Sequence, residues 1–110
     1  MKACTLGFNP DYGADEPDLD DVRSLSGRAV LEFGAPWCGH CRIAAPAVQA
    51  AFSQYPELPH IQVHDGKGQP LGRAFGVKRW PTLILLRDGG EVARAVRPRT
   101  TDDIEPILRE

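Results

Sequence analysis

The sequence holds little of what marks a specialised class. Among 110 residues there are three cysteines, one methionine, two tryptophans, two tyrosines and four phenylalanines. Three cysteines are too few to staple a small secreted scaffold. There is no basic excess, the net charge being −2, which argues against a nucleic-acid-binding domain. No run approaches the ~20 apolar residues of a membrane-spanning helix, and no repeat or low-complexity tract is present. Met1 to Phe8 has one lysine and too short an apolar run for a secretory signal. These absences predict one soluble, cytoplasmic domain over residues 1–110, a monomer with no nucleic-acid or membrane partner.

What is present is ordinary in amount and uneven in place. The hydrophobic fraction of 42% and charged fraction of 25% suit a globular core, while 11 glycines and 10 prolines predict many turns. Residues 1–37 carry a balance of −4, and residues 67–99, from Lys67 to Arg99, a balance of +6. The basic stretch is either a face for acidic partners or a solvated surface of arginines lying over apolar neighbours.

Residues 1–21 read as an acidic lead-in, irregular or with a short first strand in Ala3–Phe8. Asp18–Ser24 suits a short helix closed by Gly27. RAVLEF, 28–33, has the apolar character of a buried central strand, interrupted by Glu32. Ile43, Ala47, Val48 and Ala51 recur at helical spacing, predicting a helix over Cys38–Tyr55 with a kink at Pro46. HIQVH, 60–64, alternates as a strand, and 69–76 suits a short helix ending at Gly76. TLILLR, 82–87, is a second buried strand, joined by Asp88-Gly89-Gly90 to EVARAVR as a hairpin partner. Thr100 with Asp103 starts a last helix, which Pro106 shortens or bends. This order predicts an α/β fold whose last two strands are antiparallel.

Cys38-Gly39-His40-Cys41 is the strongest chemical signal. Two cysteines at this spacing on the first turn of a helix bring their sulfurs within disulfide reach. The unpaired N–H groups and partial positive charge of a helix N-terminus favour a thiolate at the first sulfur, and His40 pushes the same way. Cys38 is thus the expected nucleophile. Cys41, one turn deeper, resolves the mixed disulfide. The same spacing also occurs in cysteines that merely pack and in half of a metal site. Cys4, His40, His60 and His64 are the other soft ligands, and they make no matching pair.

VLEFGAPWCGHC, followed by Pro46, resembles the active-site strand and helix of the thioredoxin superfamily. Its Gly-His filling is similar to that of protein disulfide isomerase domains. Trp80-Pro81-Thr82 resembles the superfamily's cis-proline loop, and TLILLRDGGEVARAV its closing hairpin. The resemblance covers about residues 22–110. It implies a thioredoxin fold, a four- or five-stranded mixed sheet flanked by helices on both faces, and dithiol–disulfide exchange with no cofactor beyond the Cys38–Cys41 pair. It places Trp37, Gly39, Trp80, cis Pro81 and Thr82 along the substrate groove, with peptide groups beside Pro81 pairing with an extended substrate strand. It assigns Glu32 to the buried acid that takes the Cys41 proton through water. Partners implied are protein disulfide substrates and an NADPH-dependent flavoprotein reductase.

Three positions depart from the family pattern. Gln62 stands where bacterial thioredoxins carry a lysine near the buried acid. Trp80 is bulkier than the branched residue usual before the cis-proline. Cys4 is a third thiol, either packed in the first strand or exposed and open to coupling. The reading that follows is a thiol–disulfide oxidoreductase, most simply a thioredoxin-like reductant. The alternatives are a redox-sensing partner-binding module using the basic segment around Trp80-Pro81, and a thiol-based metal or cluster carrier.

Overall fold

The computed structural model describes residues 4–12, 17–66 and 70–110. In chain order the elements are β1 (Cys4–Leu6), α1 (Leu19–Arg23), β2 (Arg28–Gly34), α2 (Gly39–Phe52), β3 (Pro59–His64), α3 (Pro70–Ala74), β4 (Thr82–Arg87), β5 (Gly90–Val96) and α4 (Thr101–Leu108). The strands form one five-stranded sheet in the order β1-β3-β2-β4-β5. β2 and β3 run parallel. β1 against β3, β2 against β4 and β4 against β5 are antiparallel. The mixed α/β fold expected from the sequence is therefore present, with the short first strand at the sheet edge. Gln69, at the start of the expected 69–76 helix, and Lys67, at the start of the basic stretch, lie outside the described residues, as does Ala3.

Period-two alternation divides the central strands between two cores. Val30, Leu83 and Leu85 pack with Ala44, Val48 and Phe52 of α2 and Ile104 and Leu108 of α4. Leu31, Phe33, Ile61, Val63, Ile84 and Leu86 pack on the other face with Val22 of α1 and Leu71 of α3. The same parity puts Glu32 on the face of Val30, beneath α2. Register adds the rest: Val30 lies opposite His60, and Glu32 opposite Gln62. Two polar residues of β3 are thereby carried into the layer under the dithiol helix.

α2 is shorter than its apolar spacing suggests. It stops at Phe52 with Ser53 as C-cap, and the Ser53 hydroxyl donates to the Ala50 carbonyl at 2.6 Å. Turns then lead to Tyr55 and Leu58. Pro46 lies inside α2, and Pro106 inside α4, which nevertheless runs eight residues. In the β4–β5 turn Asp88 and Gly89 have φ of 51° and 80°, the left-handed pair of the tight hairpin turn. A Cβ on Gly89 would also lie 2.2 Å from the Arg23 carbonyl oxygen, so only glycine fits there.

Candidate active site

The dithiol sits where β2 hands over to α2. Cys38 is the N-cap of α2, with extended backbone, and its sulfur accepts the Cys41 N–H at 3.2 Å. One of the orphan donors of the helix start is thus spent on the first sulfur. All three cysteines are free thiols; Cys38 and Cys41 are buried, Cys4 partly so. Burial is the main cause that pushes the Cys41 thiol up to about 12, with the neighbouring Cys38 adding to it. Hydrogen bonding from the Ala35 backbone and from the Tyr12 hydroxyl pulls the other way. His40 and Gly39 are exposed on the first turn of α2.

On the outer side, the Trp80–Pro81 peptide is cis, as the resemblance implies. Trp80 packs against the cluster of Ala35, Cys38 and Cys41. Its ring meets that of Trp37 edge-on, with centroids 5.3 Å apart, and its Nε1–H donates to Asp65 Oδ2 at 2.9 Å. Trp37, 64% exposed, therefore stands as a free wall beside the sulfurs while Trp80 is anchored. The Trp80 carbonyl, expected to face a substrate strand, already accepts Arg97 Nε–H at 3.0 Å. Thr82 is buried in β4 and its hydroxyl donates to the Arg79 carbonyl at 2.6 Å. It braces the loop from within.

Three arginines of the basic segment have local partners. Arg94 is held by Glu91 and the Phe75 carbonyl. Arg97 turns to the Trp80 loop, and Arg87 to the backbone of Glu110.

On the inner side, a cleft of about 470 Å³ opens among Phe8, Tyr12, Glu32, Cys41, Pro46 and Gln62. Glu32 is only 3% exposed and His60 not at all. His60 Nε2 and Glu32 Oε1 are 2.8 Å apart, and His60 Nδ1 accepts the Asn9 backbone N–H at 2.8 Å. Because Nδ1 is an acceptor, the ring proton is on Nε2, and His60 donates to Glu32. His60 is stacked on Phe52 at 4.4 Å and 14°, which fixes the ring plane. Gln62 Nε2 donates to the Asn9 carbonyl at 3.3 Å, and its buried Oε1 has no partner among the described residues.

The sequence reading identified Glu32 and missed His60, which it weighed only as a soft metal ligand. It missed Tyr12 altogether. His60 was within reach of a sequence argument, since β2 and β3 pair in parallel and both positions share parity. Nothing in the pattern of NPDYG signals Tyr12. Among the described residues no three His, Cys, Asp or Glu side chains group so as to hold a metal ion, and no helix is long and apolar enough to cross a membrane.

A free cysteine pair capping a helix beside a cis-proline loop is the working end of a thiol–disulfide oxidoreductase. The chain belongs to the thioredoxin family, whose pattern it matches over residues 19–110. It is 31% identical over 83 residues to a thioredoxin of Chlamydia muridarum, covering 76% of this chain and 81% of that protein. It is 36% identical over 104 residues to protein disulfide-isomerase A3 of Gallus gallus, covering 88% of this chain but only 21% of that longer protein. Thioredoxin 2 of Pseudomonas aeruginosa PAO1, solved in its reduced form, superposes with a TM-score of 0.81 at 48% identity, over 89% of this chain and 91% of that one.

Proposed function

We propose that the chain reduces protein disulfides through Cys38 and Cys41, as a thioredoxin-like reductant. The observation that carries this is the placement of the Cys38–Cys41 pair at the start of α2 beside the Trp80–Pro81 loop, with the Cys38 sulfur accepting the Cys41 N–H. The Cys38 thiolate attacks one sulfur of the substrate disulfide. A Cys38–substrate disulfide forms and the other substrate sulfur leaves as a thiolate that takes a proton from solvent. Cys41 then gives up its proton and attacks the Cys38 sulfur, releasing the second substrate thiol and leaving a Cys38–Cys41 disulfide. Two electrons have passed from the dithiol to the substrate. No cofactor is needed for either exchange.

Glu32 takes the Cys41 proton across the cleft. His60 occupies Oε1 as a donor, which leaves Oε2 for that proton. His40 stabilises the Cys38 thiolate from the first turn of α2. Trp37, Gly39, Trp80 and Pro81 border the substrate, which lies against the Trp37 face and the Trp80 backbone. Thr82 supports that loop from inside. We place this single domain in the cytoplasm, where an NADPH-dependent flavoprotein reductase returns the disulfide to dithiol.

The test is reduction of insulin disulfides by catalytic amounts of the protein with dithiothreitol as electron source. Cys38→Ser should abolish the acceleration. Cys41→Ser should trap a mixed disulfide with insulin at Cys38, detected by mass spectrometry. An acceleration retained in Cys38→Ser overturns the reading.

A further inference from the structure

Tyr12 lies in the loop between β1 and α1, outside the part of the chain that matches the family. The loop is tied to β3 by three contacts of Asn9, and a fourth closes it on itself. Its N–H reaches His60 Nδ1 at 2.8 Å and its Nδ2 the His60 carbonyl at 3.2 Å. Its Oδ1 accepts the Asp11 N–H at 3.0 Å, and its carbonyl accepts from Gln62 at 3.3 Å. Three residues after Asn9, the Tyr12 ring rests edge-on against His64, with centroids 6.2 Å apart. This anchoring brings the hydroxyl to the inner side of the dithiol.

The meeting point is the missing side chain of Gly34. A Cβ there would lie 2.7 Å from the Cys41 sulfur and 2.9 Å from the Tyr12 hydroxyl oxygen. Glycine at the end of β2 thus leaves the room in which a thiol and a phenol face each other. Both also line the cleft that contains Glu32.

We propose that Tyr12 is a catalytic residue of the resolving step, donating its O–H to the Cys41 sulfur as that thiol becomes a thiolate. The inference rests on the dithiol-exchange reading above. When Cys41 attacks, its proton goes to Glu32, the Cys41–Cys38 bond forms, the Cys38–substrate bond breaks, and Tyr12 keeps its own proton throughout. Burial and the facing charges of Cys41, Glu32 and Cys38 hold the Tyr12 hydroxyl well above the ordinary tyrosine range, so it stays a donor. The Tyr12 hydrogen bond favours the charged form of a sulfur that burial penalises, and so works against the burial that raises the Cys41 thiol.

The experiment is rapid mixing of the reduced protein with 5,5′-dithiobis(2-nitrobenzoate), in a Cys4→Ser background that leaves two thiols. Attack by Cys38 releases one thionitrobenzoate, and attack by Cys41 on the mixed disulfide releases the second. Tyr12→Phe keeps the ring against His64 and removes only the hydroxyl. The first phase should keep its rate within twofold. The second should slow by roughly three- to tenfold near neutral pH, with its pH midpoint moved upward, the size expected for one charge-assisted bond partly replaced by water. An unchanged second phase, or equal slowing of both phases, overturns the role of Tyr12. If the parent protein shows no second phase at all, the dithiol-exchange reading fails first, and the Tyr12 role with it.

Discussion

His60 donates its Nε2–H to Glu32 Oε1 at 2.8 Å, with both side chains buried and Glu32 lining the inner cleft. The donor is imposed by Asn9, whose backbone N–H already occupies Nδ1. A buried carboxyl is costly to leave unpaired, and here a partner comes from the neighbouring parallel strand. His60→Phe would keep the stacking on Phe52 but strand both the Glu32 oxygen and the Asn9 N–H. At ~1–3 kcal/mol for each buried group left unpaired, the variant should lose about 2–6 kcal/mol of stability. Urea unfolding followed by Trp fluorescence measures it; a loss below about 1 kcal/mol would show that the pair is not held as described.

Glu32→Gln separates structure from proton transfer. The amide oxygen can still accept from His60, so the unfolding midpoint should change little. The group that takes the Cys41 proton is gone. Resolution of the Cys38 mixed disulfide should slow by on the order of a hundredfold, the lower range for a positioned general base. Attack by Cys38 should be unaffected, and single-turnover mixing resolves the two steps.

His40→Ala removes a dipole, or a charge when protonated, from the turn that carries Cys38. Destabilising the thiolate destabilises the reduced form, so the disulfide becomes a weaker oxidant. The potential should fall by about 30 mV, a roughly tenfold shift in the equilibrium with glutathione. Redox titration in glutathione buffers reads it. A rise in potential would show that His40 acts against the thiolate.

The buried Cys41 thiol predicts an alkaline loss of stability in the reduced protein. Its value is raised to about 12 in the fold against 9.0 for a free thiol. A group raised on folding stabilises fully below its unfolded value, so the contribution persists to about pH 9 and is lost as pH climbs toward 12. Tyr12, also raised, adds in the same direction at the upper end. Denaturation midpoints measured from pH 8 to 11 should fall less steeply in Cys41→Ala than in the parent protein.

Local chemistry made much of this protein readable before any coordinates. Cys-Gly-His-Cys at a helix start and Asp-Gly-Gly between the last two strands are short-range signals. Each works through its own backbone, and each appears where its residues predict. The helix limits were less legible: α2 ends at Phe52 because Ser53 closes it, while the apolar spacing runs on to Tyr55.

The proton-handling side of the site was not local in this sense. Glu32 could be singled out as an odd charge in an apolar strand, but its partner depends on the register of β2 against β3. Tyr12 depends on a loop tied to β3 through Asn9, and on the absent side chain of Gly34. Thr82 stands beside the cis-proline in sequence, yet its hydroxyl is spent on Arg79. Residue order therefore decided the cysteine pair and the helix that carries it, through interactions spanning a few residues. The fold alone decided which buried donors and acceptors share a cleft, because these contacts join residues 28 to 53 positions apart, and only packing brings them within hydrogen-bond distance.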